Sequence, residues 1–345
     1  MNKTKLYLTL LVSLLLILSI GCKKNDLDGY NYDIKRNSSS SNLIFFDYLS
    51  EIYGFDTITN TVEVIISIEN MELGGVAKLP SGGIAITSRG NTNNHLGSGK
   101  MYITDNKYNV IKTVDICGAP IEPKVVGNNI LISNSYIPAD LLIIDLDDYH
   151  IRKTFVIDDM VHGAKITNHN EISFFSSAKH FNDGYIVQLN METLDTNNYT
   201  DGSDFFDNGF DIYSTDSLLY VFGVLKHNLY VYNYLDKSYK MRINFDDYAE
   251  YASLNPKNLF LPLLKGNYIY GFGVISGYPK NIIYFMKFNL LTKSFEYLKV
   301  VNVVNGSFFI PDMRVYGNKL YLKIDKNIVV IDYLTGTILK TVYIH

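Results

Sequence analysis

The sequence contains no tryptophan and only two cysteines, and its formal net charge is −4 over 345 residues. A charge this weak, with no basic stripe, argues against a nucleic-acid partner. The seven histidines are scattered without the spacing of metal ligands. There is no GxSxG motif, no P-loop and no HExxH motif. The sequence therefore contains no motif that specifies an enzymatic activity.

A long apolar run occurs only at the N-terminus, at residues 6–20, after Lys3 and Lys5. Fifteen residues are too few for a typical membrane-spanning helix, which needs about 20, but suit the core of a signal peptide. The run ends in Leu18-Ser19-Ile20-Gly21-Cys22, which resembles a bacterial lipoprotein signal, in which the cysteine is acylated and becomes the new N-terminus. The alternative is an ordinary secretory signal in which Cys22 is incidental.

The resemblance implies a lipid-anchored protein of the bacterial cell envelope, extracytoplasmic and attached to the outer membrane or cell surface. We expect residues 1–21 to be the signal peptide and residues 22–40, which run into four consecutive serines at 38–41, to be a flexible tether. Cys117 would then have no partner within the chain, which excludes a disulfide framework. Its apolar surroundings predict a buried, unreactive thiol.

The rest of the chain is rich in residues that favour β-sheets, including 28 Tyr and 19 Phe. The C-terminal segment VVIDYLTGTILKTVYIH has the pattern of a hairpin, and similar hairpins occur seven times. Each begins with Asp or Asn, whose side chain can accept hydrogen bonds from backbone N–H groups two residues ahead. The lead residues are Asp56, Asp105, Asp145, Asn190, Asn233, Asn289 and Asp332. Thr or Asp follows three residues later in all but the second hairpin, which has Tyr108.

The lead residues recur every 46 residues on average, which is typical of four-stranded β-propeller blades. The sequence therefore predicts an all-β fold: a seven-bladed β-propeller of four-stranded antiparallel blades at residues 41–345. The predicted blades cover about residues 31–70, 72–118, 120–160, 162–200, 205–248, 255–302 and 308–345. In the second blade we expect strands at residues 75–79, 84–88, 100–104 and 109–116. In the first, residues 42–48 predict the second strand, and residues 32–38 would have to supply the innermost one.

These units resemble the seven-bladed propellers of the YncE-like and quinoprotein-like (WD40-like) families over about residues 42–345. The resemblance implies a fold and says little about function. Quinoprotein propellers have a tryptophan-rich docking pattern, and this sequence has no tryptophan. We therefore expect no pyrroloquinoline and no other cofactor.

Aligning the units on their innermost strands places six residues at equivalent positions: Lys78, Lys124, Lys165, Asp211, Pro262 and Arg314. Innermost strands line the central channel, so four basic residues predict a positive channel mouth that holds an anionic ligand. The alternative is that these side chains form ion pairs with neighbouring blades or extend into solvent.

Long loops between second and third strands form another candidate binding surface, because loops of one type lie on one face of a propeller. Its residues are Arg89, Asn94, His95, Tyr136, His180, Phe181, Tyr278 and Lys280. Solvated loops without a ligand are the alternative.

The segment DGSDFFDNGFD contains Asp201, Asp204, Asp207 and Asp211. Such oxygen-rich spacing suits Ca²⁺, but Ile212 stands where an EF-hand loop has its last ligand. A solvated loop is the simpler interpretation, and we predict no metal site.

Together these observations favour a non-enzymatic binding or scaffolding propeller whose partner is a protein, a glycan or a small anionic ligand. The alternative is an enzyme of the lyase, hydrolase or oxidase type, with its active site at the channel mouth.

Overall fold

The computed structural model describes residues 32–34, 42–68, 71–91, 99–116, 118–134, 139–157, 160–166, 171–177, 185–199, 209–223, 227–236, 238–254, 258–277, 280–305 and 312–344. These residues form seven four-stranded antiparallel sheets. The short helical elements are the 3-10 helix Phe245–Asp247 and the helix Ala249–Ala252. Across the described ranges, no helix is long and apolar enough to span a membrane.

The first sheet has a strand order that differs from chain order. Its strands are β1 (Tyr32–Ile34), β2 (Leu43–Tyr48), β3 (Glu51–Asp56) and β4 (Thr61–Ile68), arranged β1-β4-β3-β2. Residues 32–38 were predicted to supply the innermost strand, and for residues 32–34, which form β1, this prediction is wrong. Residues 35–38 lie outside the described ranges. β1 pairs with the opposite edge of the sheet, with Tyr32 opposite Ile68 and Ile34 opposite Ile66.

The other six sheets follow chain order. The second contains β5 (Met71–Lys78), β6 (Ile84–Asn91), β7 (Lys100–Thr104) and β8 (Val110–Asp115). The third contains β9 (Lys124–Val126), β10 (Asn129–Ser133), β11 (Ala139–Asp145) and β12 (Ile151–Ile157). The fourth contains β13 (Met160–Ile166), β14 (Glu171–Ser177), β15 (Tyr185–Asn190) and β16 (Thr196–Tyr199).

The fifth sheet contains β17 (Gly209–Ser214), β18 (Leu218–Gly223), β19 (Asn228–Asn233) and β20 (Tyr239–Asn244). The sixth contains β21 (Asn258–Lys265), β22 (Tyr268–Gly277), β23 (Lys280–Asn289) and β24 (Ser294–Asn305). The seventh contains β25 (Asp312–Tyr316), β26 (Lys319–Ile324), β27 (Asn327–Asp332) and β28 (Thr337–Tyr343).

Buried apolar clusters join most of the successive sheets. Clusters link the first sheet to the second, the second to the third, the third to the fourth, the fifth to the sixth and the sixth to the seventh. β13 of the fourth sheet contacts β17 of the fifth. A further cluster packs Ile44 and Phe46 of the first sheet against Tyr321 and Val330 of the seventh and closes the ring. The chain is therefore a β-propeller of four-stranded antiparallel blades.

The predicted role of the lead residues in the hairpins is confirmed. In all seven hairpins the Oδ1 atom of the lead Asp or Asn accepts a hydrogen bond from the backbone N–H two residues later. These bonds satisfy N–H groups of the turn that reverses the chain between two strands. The hairpin motif thus depends on contacts between residues two positions apart and not on how each sheet is completed.

Candidate functional site

A cavity of about 600 Å³ opens at the inner edge of the first sheet. Its walls come from β2, β5, β25 and the segment leading into β9, so four sheets contribute to one space. The lining residues are Leu43, Ile44, Phe45, Val76, Ala77, Lys78, Glu122, Pro123, Lys124, Val125, Val126, Leu131, Met313, Arg314 and Val315. Most are apolar, and the charged ones are few.

Three of the six aligned inner-strand residues meet in this cavity. Lys78 ends β5, Lys124 begins β9 and Arg314 lies in β25. The other three, Lys165, Asp211 and Pro262, lie in β13, β17 and β21, and their side chains are outside the described part of the structure. Since side chains alternate along a strand, an alignment error of one residue would have separated the three cations.

Glu122 is the fourth charged residue of the cavity, and the sequence analysis missed it. Its Oε1 atom lies 2.7 Å from Nη2 of Arg314, so the ion pair joins the third sheet to the seventh. The Arg314 guanidinium also lies 5.9 Å from the ring centre of Phe46. A signal was present in the sequence, because Glu122 precedes Lys124 by two residues and side chains two apart face the same side of an extended chain.

Close backbone packing fixes the position of Glu122. A Cβ atom on Gly74 would lie 2.1 Å from the carbonyl oxygen of Pro120, and one on Gly75 would lie 2.5 Å from Cα of Glu122. Neither position therefore accommodates a side chain. The Thr87 hydroxyl donates a 3.1 Å hydrogen bond to the carbonyl oxygen of Ile121, which holds the same segment against the second sheet.

The charges of the cavity leave a positive excess. Lys78, Lys124 and Arg314 contribute three positive charges and Glu122 one negative charge. Burial lowers the pKa of the Lys78 ammonium below its ordinary value, because desolvation disfavours its charged form. Cations beside apolar walls in a partly water-excluded space attract an anion more strongly than the same cations on an open surface.

The loop surface predicted from the sequence is largely outside the described residues. This applies to Asn94, His95, Tyr136, His180, Phe181 and Tyr278. Lys280 begins β23. Arg89 lies in β6, where its Nη1 atom is 3.0 Å from Oε1 of Glu72 on the adjacent strand. For Arg89 the structure thus shows an ion pair within one sheet.

The aspartate-rich segment, residues 201–211, also lies mostly outside the residues that the structure describes. Asp201, Asp204 and Asp207 are not described, and Asp211 lies in β17. Cys22 and Cys117 are outside the described ranges too. Within these ranges, no group of three or more His, Cys, Asp or Glu side chains is arranged to hold a metal ion.

Comparisons with solved structures show the fold. A structure from Bacteroides uniformis, named as a proposed 6-phosphogluconolactonase, is 12% identical, with 85% of this chain and 92% of that chain covered and a TM-score of 0.59. A similarly named structure from Bacteroides fragilis is also 12% identical, with 93% and 97% covered and a TM-score of 0.57. BamB from Moraxella catarrhalis is 10% identical, with 91% and 87% covered and a TM-score of 0.50. At this level of identity the likeness is one of β-propeller fold alone.

No protein-family model matches the chain, and no curated protein matches it. Membership of the YncE-like or quinoprotein-like families therefore stays a prediction.

Proposed function

We propose that the protein is a non-enzymatic binding propeller whose inner cavity holds an anionic ligand. One observation carries this proposal: cations from three different sheets, Lys78, Lys124 and Arg314, line the same cavity. Like charges so arranged repel one another. A bound anion relieves repulsion between these cations and stabilises the fold.

The test is thermal unfolding of the protein with acidic sugars, nucleotides and dicarboxylates. We expect one of these ligand classes to raise the melting temperature and the increase to shrink with added salt. Lys124→Ala and Arg314→Ala should each reduce the increase. Lys107→Ala is the matched control, because Lys107 is exposed at a hairpin tip of the second sheet. A shift that survives both cavity substitutions would contradict the proposal.

We also propose that the seven sheets act as seven blades around one channel, as in the YncE-like propellers. The clusters that join successive sheets, and the one between the seventh and the first, support this. An experimental structure with a different number of blades would contradict it.

The envelope location is a separate proposal and rests on the N-terminal sequence. The lipoprotein-like signal ending at Cys22 supports acylation and membrane anchoring. The Cys22→Ala variant should move from the membrane fraction to the soluble fraction when cells are fractionated. If the variant stays fully membrane-bound, the anchor is not at Cys22.

An enzyme with its active site in the same cavity is the second candidate. The names of the two Bacteroides structures favour a hydrolase, and Glu122 and Lys78 supply a carboxylate and an amine for acid–base chemistry. The assay is hydrolysis of 6-phosphogluconolactone, with Glu122→Gln as the comparison. A rate equal to the uncatalysed one would exclude this substrate.

A further inference from the structure

Each hairpin turn that begins at a lead Asp or Asn exposes one side chain at the same place. This side chain lies two residues after the lead residue and is exposed in all seven turns. It is apolar in four turns, which we call the apolar turns, at Ile58, Leu235, Leu291 and Leu334. It is charged in the other three, the charged turns, at Lys107, Asp147 and Glu192.

The two kinds of turn are segregated around the ring. The apolar turns belong to the fifth, sixth, seventh and first sheets, which buried clusters join in that order. Their apolar residues are 78%, 73%, 48% and 69% exposed, respectively. The charged turns belong to the second, third and fourth sheets. Single exposed leucines are common on protein surfaces, but four at one repeated position in four adjacent sheets form an apolar arc.

Hydrogen bonds hold the backbone of the apolar turns. In each turn the N–H just before the exposed residue donates to the carbonyl oxygen of the residue that precedes the second strand, or β2 in the first sheet. The donor–acceptor pairs are Thr57–Asn42, Tyr234–Ser217, Leu290–Asn267 and Tyr333–Asn318, at 2.8–3.3 Å. The apolar side chains are therefore displayed by turns of the same construction.

Outer strands support two of these turns from the neighbouring sheet. The Lys299 ammonium of β24 donates to the carbonyl oxygen of Thr335, at 2.7 Å, in the turn of the seventh sheet. The Lys340 ammonium of β28 donates to the carbonyl oxygen of Asn60, at 3.3 Å, in the turn of the first sheet. These contacts link successive turns along the arc. A pre-organised arc loses little conformational entropy when it binds a surface.

The charges of the turns follow the same division. From the lead residue to the fifth residue after it, the sequences of the apolar turns are DTITNT, NYLDKS, NLLTKS and DYLTGT, and their formal charges sum to −1. Those of the charged turns are DNKYNV, DLDDYH and NMETLD, which sum to −5 with His neutral. The apolar arc is thus nearly neutral, while the opposite arc is acidic and suited to water.

The proposed anchor places a lipid bilayer within reach of the arc. Ten residues lead from Cys22 to Tyr32 of β1 and span at most about 33–36 Å. Tyr32 lies opposite Ile68 at the end of β4, and β4 begins just after the apolar turn of the first sheet. The eight residues of β4 measure about 27 Å. The linker is therefore long enough for the acyl chains and this turn to meet one bilayer.

The form of the arc also suits lipid better than a protein. A stable protein partner covers a continuous surface of about 800 Å². Four side chains on separate turns do not make such a surface. A fluid bilayer accommodates each side chain independently, at the boundary between headgroups and acyl chains.

We propose that the apolar turns rest on the bilayer, with Leu235, Leu291, Leu334 and Ile58 inserted at this boundary. The charged turns stay in water, because burying their acidic side chains in a bilayer is costly. The ring is thereby held in one orientation relative to the membrane. This inference rests on the proposed anchor at Cys22, which keeps the turns at high local concentration beside the lipid.

The experiment uses single tryptophans, since the chain itself has none. The full-length protein is reconstituted into phosphatidylcholine vesicles with and without brominated acyl chains, which quench a nearby indole. In the Leu334→Trp variant we expect the brominated lipid to remove about half of the fluorescence. Glu192→Trp is the matched control and should keep its fluorescence. Both variants carry an indole at the equivalent position, so its own preference for the membrane interface is shared. Equal quenching in both, or quenching in neither, would overturn the inference.

A second pair of variants tests whether the turns act together. Adding Leu291→Asp to Leu334→Trp places a charge in the neighbouring apolar turn and should reduce the quenching several-fold. Adding Lys107→Asp, in a charged turn, should leave the quenching unchanged. Equal quenching in the two double variants would show that the arc is not the membrane-binding surface. High salt should leave the quenching of Leu334→Trp in place, and its loss in salt would contradict an apolar contact.

Separate measurements distinguish this inference from the proposed anchor. Flotation with the vesicles and the mass of the N-terminal peptide report attachment and acylation. If Cys22 is acylated and the protein floats while Leu334→Trp is unquenched, the anchor stands and this inference is wrong. If Cys22 is not acylated and only the tryptophan of Leu334→Trp is quenched, the inference stands and the anchor proposal fails.

Discussion

Arg314 of the seventh sheet forms an ion pair with Glu122 of the third, with Nη2 and Oε1 2.7 Å apart. Both residues line the cavity that β2 also lines. The Arg314 and Glu122 side chains are 22% and 39% exposed, so we expect the pair to contribute at most about 1 kcal/mol to stability. Its main effect is to neutralise one of the three cations of the cavity.

Glu122→Gln should therefore strengthen the binding of an anionic ligand. Removing one negative charge raises the positive excess, and we expect a gain in affinity of about two- to fivefold, equivalent to about 0.5–1 kcal/mol. Titration at low and high salt measures this, and the gain should shrink at high salt. Weaker binding in the variant would show that Glu122 contacts the ligand or holds Arg314 in place.

Anion binding should weaken as pH rises through the pKa of Lys78. Burial lowers this pKa below the ordinary 10.5, and only the protonated amine attracts an anion, so the loss should begin at lower pH than for an exposed lysine. Lys78→Arg keeps its charge to higher pH and should move the decline upward. Binding curves across the alkaline range provide the measurement. Identical pH profiles would exclude a contribution from Lys78.

Asp332→Ala should destabilise the fold by about 0.5–2 kcal/mol, by analogy with the loss of a helix cap. The Asp332 carboxylate accepts hydrogen bonds from the N–H groups of Leu334, at 2.9 Å, and Thr335, at 3.2 Å. Asp332→Asn keeps the accepting oxygen and should cost much less, since Asn leads three of the other hairpins. Denaturant unfolding compares the two variants. An equal loss in both would point to the negative charge and not to the hydrogen bonds. Asp145→Ala should cause a loss of the same order.

Lys293→Gly should stabilise the protein by about 0.5–1 kcal/mol. Lys293 has a φ of 52° four residues after its lead residue, a left-handed conformation that favours glycine. Gly336 occupies the same place in the last hairpin with a φ of 66°. Gly336→Ala should destabilise, because the added Cβ would also lie 2.7 Å from the Tyr297 ring. We expect the melting temperature to rise in Lys293→Gly and to fall in Gly336→Ala. A lower melting temperature in both variants would contradict this prediction.

Stability should also depend on pH through Asp105. Hydrogen bonds lower the pKa of the Asp105 carboxyl below its ordinary 3.8, and the bond from the Asn109 side chain has the largest effect. A lowered carboxyl pKa stabilises the fold above the ordinary value, and this contribution is lost as pH falls through the folded-state pKa. Asn109→Ala should therefore destabilise at neutral pH, and its difference from the unmodified protein should shrink in acid. A difference that stays constant with pH would exclude this linkage.

The sequence by itself determined the local hairpins and much of the strand pattern. Each lead Asp or Asn bonds backbone only two residues away, so its role could be recognised from spacing alone. The second sheet shows the same: strands were expected at residues 84–88 and 100–104, and β6 and β7 lie at Ile84–Asn91 and Lys100–Thr104. Alignment of the units on their innermost strands also placed Lys78, Lys124 and Arg314 at equivalent positions, and all three line one cavity.

Only the tertiary structure decided how the first sheet is completed and which residues share the cavity. β1 has three residues, too few to encode which strand edge it joins, and pairing with Ile66–Ile68 is a long-range choice set by packing. The contact of Glu122 with Arg314 depends on ring closure, which brings the third and seventh sheets to one space. Both follow from the whole ring, because strand pairing and side-chain contact are properties of neighbours in space and not of neighbours along the chain.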